Sequence, residues 1–287
     1  MEAEKSRPAG GVWGRAMYRV VAADLDGTLL RSDKTVSDET IAELGRITEK
    51  GVFFIPSTGR THRELPGALR KLPFLRYALC CNGGAVYDYR EQRYIYEETI
   101  PYALALEVLD YVKTIPVYES VVVNGERICR GGNDGSICEY IRKRAVKGIL
   151  FNFTGAADVR KAFAERHTDS QKMLLYLDDR ADRETVIGGL RERFPQLEIS
   201  SSGPIYIEVN VRGVDKGKAL QNFCRMQNIP IGESVAFGDA ENDVTMLDAA
   251  GLAVVMENGT DEAKRHADMV CPSNDDDGVR IALQKLI

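Results

Sequence analysis

Histidine is scarce in this chain, with three residues in 287, at His62, His167 and His266. That scarcity leaves no support for a histidine-rich metal site or a histidine nucleophile. No apolar run approaches the roughly 18–20 residues that span a bilayer, and even the strand-like VVAADLDGTLL carries two carboxylates. Membrane contact is therefore not expected. A surplus of basic charge is also missing: 38 Lys and Arg stand against 43 Asp and Glu, for a net charge of −5 and a sequence pI near 5.5. The two signs are interspersed, so no basic stripe awaits a phosphodiester backbone and nucleic acid is not an expected partner. The six cysteines, Cys80, Cys81, Cys129, Cys138, Cys224 and Cys271, are too few and too spread to staple a chain of this size. They are expected as reduced thiols in a cytoplasmic protein. The opening MEAEKSRPAGGVWGRAM lacks the apolar stretch of about 7–15 residues that marks a secretion signal. Residues 1–16 are expected as a disordered extension.

What the chain does contain is alternation. Single cores stop growing at roughly 250–300 residues, so two domains are expected. Near both ends, short β-branched runs alternate with amphipathic stretches, the pattern of βαβ units in an α/β fold with a parallel sheet and helices on both faces. YRVVAADLD, VFFIPST and YALCCN are predicted strands. Asp38 to Lys50 is a predicted helix with Asp38 as its cap and Gly51 just past its end, and a second helix is expected over about His62 to Leu72 despite Pro66. Further on, Lys216–Gln227, Asn242–Ala249 and Val279–Ile287 are predicted helices, with SVAFGD and LAVV as strands. The middle differs in texture. Hairpin-like AVYDYREQRYIYEE and ESVVVNGERICR, the latter turning at Asn124-Gly125, precede helical stretches, MLLYLDD, a helix from Arg183 to Phe194, and the pair LEISSSGPIYIEVNV. The expected plan is an α/β core of residues 17–85 and 205–287 interrupted by an α+β insertion over 86–204.

Chemistry concentrates where the strands stop. Asp24 and Asp26 in DLDGT end the first strand, and residues two apart on an extended chain share a face. Both carboxylates thus point to one site, beyond the carboxyl end of a parallel strand, where ligands of open sheets bind. An EF-hand does not fit, because the sixth and twelfth positions from Asp24 hold Leu29 and Thr35. A second acidic cluster, GDAEND, brings Asp239 and Asp243 to another strand end, where helix capping and metal binding coexist. Such carboxylates offer hard oxygens suited to Mg²⁺. Thr58, Gly59 and Arg60 follow the second strand with a hydroxyl and free N–H groups for an anion, and Lys216 opens a helix after IYIEVNV. Rival chemistries fail on the letters. Cys138 to Arg144 has Cys-x5-Arg spacing but bulky, charged residues where a thiol phosphatase needs a glycine-rich loop. GVDKGK is one residue short of a Walker loop, and Asp275–Asp277 is most simply a solvated helix start.

In order and placement, these segments resemble the four motifs of the haloacid dehalogenase-like (HAD) phosphohydrolases, and within them the Cof-like phosphatases with an α/β cap inserted after the third strand. DLDGT resembles the first motif, Thr58 in STGR the second, Lys216 in VDKGKAL the third and GDAEND the fourth, while Asn82-Gly83-Gly84 is similar to an NGA-type signature preceding the cap. The resemblance runs from Tyr18 to Ile287. It implies a Rossmann-like core and a Mg²⁺-dependent phosphatase acting on small phosphorylated metabolites, such as sugar phosphates, pyridoxal phosphate or flavin mononucleotide. Asp24 is implied as the nucleophile that forms an aspartyl-phosphate, and Asp26 as general acid and then base. Lys216 and Thr58 are implied as stabilisers of the transferring group. Mg²⁺ would be held by Asp24, Asp239 and the carbonyl of Asp26, with Asn242 and Asp243 orienting Lys216 and the metal's waters. Gly59, Arg60, Asn82, Asn210 and Asn242 are expected substrate or phosphate contacts. Arg127, Arg130, Asn133 and Lys172 are further donors in the cap whose facing the sequence leaves open. A phosphomutase sharing the first motif, and a non-catalytic phospho-metabolite sensor, are the alternatives, although a pure binder gains nothing from a carboxylate facing phosphate. Sequence does not decide between monomer and dimer.

Overall fold

Strand β1 (Val20–Ala23) is the hub of the core, with all four residues buried. Its neighbours, both parallel, are β2 (Phe53–Pro56) and β12 (Ser234–Gly238), and Val20 stands opposite Phe53 on one side and Ser234 on the other. The sheet continues through β13 (Leu252–Met256) to β14 (Met269–Cys271), giving the order β14-β13-β12-β1-β2. Alternate residues of β1 feed opposite layers. Val21 and Ala23 pack with α1 (Asp38–Glu49) and the last helix, through Leu44, Ile47 and Leu283, whereas Val20 and Ala22 pack against Leu220 and Phe223. The computed structural model describes residues 18–131, 153–200 and 205–287. The expected extension over 1–16, Asn133 and the Cys138–Arg144 segment lie outside these.

Two helix expectations change. Ser37, not Asp38, caps α1, its hydroxyl accepting from the Thr40 N–H at 3.1 Å, and Asp38 sits in the first turn where the helix dipole favours an acid. The helix expected over His62–Leu72 shrinks to α2 (Gly67–Arg70). Pro66 disfavours helical backbone at Leu65, and the Glu64 carboxylate takes the Thr61 N–H at 3.0 Å, holding the preceding residues in turns. Beyond α2 comes β3 (Tyr77–Cys80), tied to the edge of β2 by one parallel bridge between Ser57 and Leu79.

The insertion forms its own sheet. Helix α3 (Tyr102–Val112) leads to β6 (Val117–Val123) and β7 (Glu126–Arg130), which meet at Asn124-Gly125 with the positive φ values of +50° and +72° that a two-residue hairpin turn demands. The rest are β8 (Phe153–Ala156), α4 (Val159–Ala164), β9 (Lys172–Leu177), α5 (Arg183–Arg193), β10 (Leu197–Ser200) and β11 (Tyr206–Val211), in the order β10-β11-β9-β6-β7-β8. Helices cover one face, where Leu109, Phe163 and Leu190 pack on Val121, Met173 and Leu175. Strand pairing runs across the expected limits at 86 and 204. Strands β4 (Ala85–Asp88) and β5 (Arg93–Glu97) form an antiparallel hairpin on β3, and β11 pairs with β9 and β10. On this pairing we propose Glu98 and Val211 as the limits of the insertion. A hairpin pairs with its sequence neighbour, and β11 needs β9 to satisfy its backbone.

The chain returns to the core as α6 (Lys216–Met226), then α7 (Val244–Ala249), α8 (Asp261–Arg265) and α9 (Gly278–Leu286). The turn between β3 and β4 touches the returning connection at Gly83, where φ is +101° and a Cβ would lie 2.1 Å from the Asp215 carbonyl oxygen. Only glycine fits that crossing. The five described cysteines are free and buried, and no described helix is long and apolar enough to cross a membrane.

Candidate active site

Beyond β1 the chain turns sharply at Gly27, whose φ is +90° and whose hypothetical Cβ would sit 2.4 Å from Asp239 Oδ2. Glycine is what lets two strand ends approach. Across the gap, Thr28 donates its hydroxyl to Asp239 Oδ1 at 2.6 Å. Lys216, at the first turn of α6, is fully buried and places Nζ 2.6 Å from both Asp24 Oδ1 and Asp243 Oδ1. The second oxygen of Asp243 accepts from the N–H groups of Asp239 at 2.9 Å and Ala240 at 3.1 Å, fixing the turn before α7. One carboxylate oxygen each from Asp24, Asp239 and Asp243 lie within 4.8 Å of one another. Thr58 is buried at the end of β2, its hydroxyl accepting the Arg60 N–H at 3.2 Å.

Burial and crowding set the charges. Burial pushes the Asp24 carboxyl up, the Lys216 ammonium opposes this, and Asp243 and Asp239 add to the rise. Burial also works against charge on Lys216, but Asp24 and Asp243 outweigh it and the lysine is raised. Lys216 therefore keeps its proton, and its contact favours the ionised form of Asp24 against the effect of burial. Burial lifts Asp239 to about 6, against the pull of the Thr28 hydroxyl. Three crowded carboxylates with one ammonium make a donor set of hard oxygens short of positive charge, which fits Mg²⁺.

The raised Asp239 value gives a pH test. Its folded value of about 6 exceeds the ordinary 3.8, so without a cation the fold loses stability as pH rises between those values. A proton also competes with a metal below about 6, by roughly tenfold in affinity per pH unit once Asp239 is protonated. The rise in Tm caused by Mg²⁺ should be larger at pH 8 than at pH 5. Equal rises at both would remove Asp239 from the ligand set.

The other expected residues sit in the surrounding network. Asp26 is drawn toward its ionised form in the free site. Burial would raise its carboxyl, but Arg60, donating from Nε at 2.9 Å and Nη2 at 2.8 Å, and Lys34 at 2.9 Å bring the net below the ordinary range. Its side-chain oxygens are thereby committed, leaving only its carbonyl for a metal. Arg60, expected on the substrate, is engaged with Asp26. Asn82 and Asn210 are buried with carboxamide oxygens that find no partner. Asn242 is half-buried, and Lys216 is oriented by Asp243 alone of the two. Arg130 pairs with Glu119 on the helix-covered face, while Arg127 and Lys172 are buried facing the core. Gly59 lies beneath them, where a Cβ would come within 2.8 Å of Asn82 Oδ1. Thr28, Lys34, Glu64 and Glu208 carry contacts here that their sequence context did not announce. The only available hint was Lys34 eight residues after Asp26, within reach of a loop that doubles back.

A buried lysine among carboxylates at the carboxyl ends of parallel strands, beneath an inserted sheet, defines a class of hydrolase. The sequence profile of the haloacid dehalogenase-like hydrolases matches residues 21–283, and the chain belongs to that family. It is similar to the phosphatase YwpJ of Bacillus subtilis, 29% identical over 94% of this chain and 100% of the relative. It is also 29% identical to the pyridoxal phosphate phosphatase YbhA of Escherichia coli, over 91% of this chain and 96% of that protein. A crystal structure from Thermotoga maritima superposes with a TM-score of 0.80 at 28% identity, covering 94% of this chain and 98% of that one.

Proposed function

We propose that this protein is a Mg²⁺-dependent phosphatase that hydrolyses phosphate monoesters of small metabolites through an aspartyl-phosphate. The observation that carries the reading is the contact of Asp24 with Lys216 at 2.6 Å: a buried strand-end carboxylate whose ionised form is favoured by a buried ammonium. An anionic carboxylate needs no base to attack. One oxygen of Asp24 bonds to phosphorus as the ester P–O bond breaks, and Asp26, ionised in the free site, takes up a proton as the anionic ester binds beside it and passes that proton to the departing oxygen. Water then attacks the phosphorus, yields a proton to Asp26, and releases phosphate as the Asp24 carboxylate re-forms. Lys216 and the Thr58 hydroxyl hold the phosphoryl oxygens through both steps. Mg²⁺, when held by Asp24, Asp239 and the Asp26 carbonyl with Asp243 beside them, neutralises the repulsion between carboxylate and phosphate.

Sugar phosphates and phosphorylated cofactors such as pyridoxal phosphate or flavin mononucleotide are the proposed substrates, and the name of the relative YbhA supports the second group. The cytoplasm is the proposed compartment. With Mg²⁺ and a panel of these esters, free phosphate should appear and EDTA should stop it. Interconversion of hexose 6- and 1-phosphates without phosphate release would make the protein a mutase, and binding without turnover would make it a sensor.

A further inference from the structure

We propose that Arg127, on cap strand β7, is a positioning residue for Asp26, acting through Glu64 and Arg60, so that the acid is aimed only while the cap sits on the core. The proposal rests on the assignment of Asp26 as acid and base made above. Its basis is an unbroken run of contacts. Arg127 donates to Glu64 from Nε at 2.8 Å and from Nη2 at 3.0 Å, and both side chains are almost wholly buried, at 4% and 2% exposure. Glu64 fixes the loop that follows β2 by taking the Thr61 N–H at 3.0 Å, and its carbonyl takes Arg60 Nη1 at 3.3 Å. The other edge of the same guanidinium forks onto Asp26. A second grip comes from β9: Lys172 Nζ, 2.5 Å from Glu208, also donates to the Gly59 carbonyl at 2.7 Å. The loop holding Thr58, Gly59 and Arg60 is thus pinned from the cap at two points.

Adhesion between domains does not call for this chemistry. A buried ion pair stabilises no better than apolar side chains of similar volume, whereas a bidentate fork adds fixed orientation. With the cap lifted, Glu64 loses its guanidinium and Arg60 loses the brace on its far side. Lys34, which belongs to the core, is then the partner Asp26 retains. The acid is therefore in full register when the cap excludes water from the site.

Leaving-group dependence separates positioning from simple structural support. An alkoxide needs a proton as it departs, while 4-nitrophenolate leaves largely unaided, so loss of a general acid falls selectively on alkyl esters. kcat/KM reports events up to that departure, which keeps the later hydrolytic step out of the comparison. The variants Arg127→Gln, Arg127→Lys and Glu64→Gln, with Asp26→Asn as reference, are measured with a hexose 6-phosphate and with p-nitrophenyl phosphate. Arg127→Gln and Glu64→Gln should each raise the aryl-to-alkyl ratio of kcat/KM by about tenfold or more, in the direction of Asp26→Asn, and Arg127→Lys should restore part of it. In an Asp26→Asn background, Arg127→Gln should add no further change to the ratio. An equal fall for both esters would reduce Arg127 to structural support and overturn the proposal. An unchanged ratio in Asp26→Asn itself would overturn the acid assignment as well, whereas a shift in Asp26→Asn alone would sink the coupling and leave that assignment standing.

Discussion

Asp24→Asn is expected to lower turnover of p-nitrophenyl phosphate on the order of 10⁴-fold or more while leaving the fold intact. The amide has the shape of the carboxylate but cannot bond to phosphorus as an anion does. Lys216 keeps Asp243 at 2.6 Å, so no buried charge is left unpaired. The change also removes one of three crowded carboxylates, so the Tm without metal should hold or rise. The gain in Tm from Mg²⁺ should shrink. Phosphate release and thermal unfolding with and without Mg²⁺ check all three outcomes. Undiminished turnover would remove Asp24 as the nucleophile.

Lys216→Met should act in the opposite way, on stability first. The methionine fills much of the volume but leaves Asp24 and Asp243 facing each other without a cation, in a site where the lysine they lose is 1% exposed. Breaking a buried pair from one side costs about 3–5 kcal/mol. Denaturant unfolding should show that loss at pH 8 and a smaller one at pH 5, because Asp24, whose carboxyl burial already pushes up, can take a proton there. Mg²⁺ should restore part of the stability and little of the activity, since no ammonium would remain to hold the phosphoryl oxygens. Full activity with Mg²⁺ would reduce Lys216 to a neutraliser of charge.

The parts of the site that were visible in the sequence are those written next to a change of secondary structure. Asp24 ends a run of β-branched residues, Asp239 ends another, and Lys216 opens a helix, so periodicity alone placed each at one edge of a parallel sheet. Ion-pair partners leave no such mark. Glu64 and Arg127 are separated by 63 residues, and their meeting depends on how the cap sits over the loop after β2. The pairing of Arg60 with Asp26 left no mark either, because an arginine beside a phosphate site suits a substrate as well as a carboxylate. The segment IYIEVNV falls inside the expected core limit at 205, while its hydrogen bonds belong to β9 and β10. Pro66 was a plain local signal, and its restriction of Leu65 outweighed the apolar spacing that suggested a longer helix.

The central place of β1 also bears on how the protein is made. Its partner β12 lies near the far end of the chain, with Val20 opposite Ser234, so a ribosome exposes β1 and β2 long before the strand that closes their other side exists. The insertion has no such wait. Its strands β6 and β7 pair through a two-residue turn, and β9, β10 and β11 complete it before α6 is synthesised. Translation therefore finishes the cap first and leaves an apolar strand edge open in the meantime, the kind of surface that invites pairing with other chains. Chains released before Ser234 carry that open edge permanently. They are the products a cell's chaperones and proteases would be called on to clear.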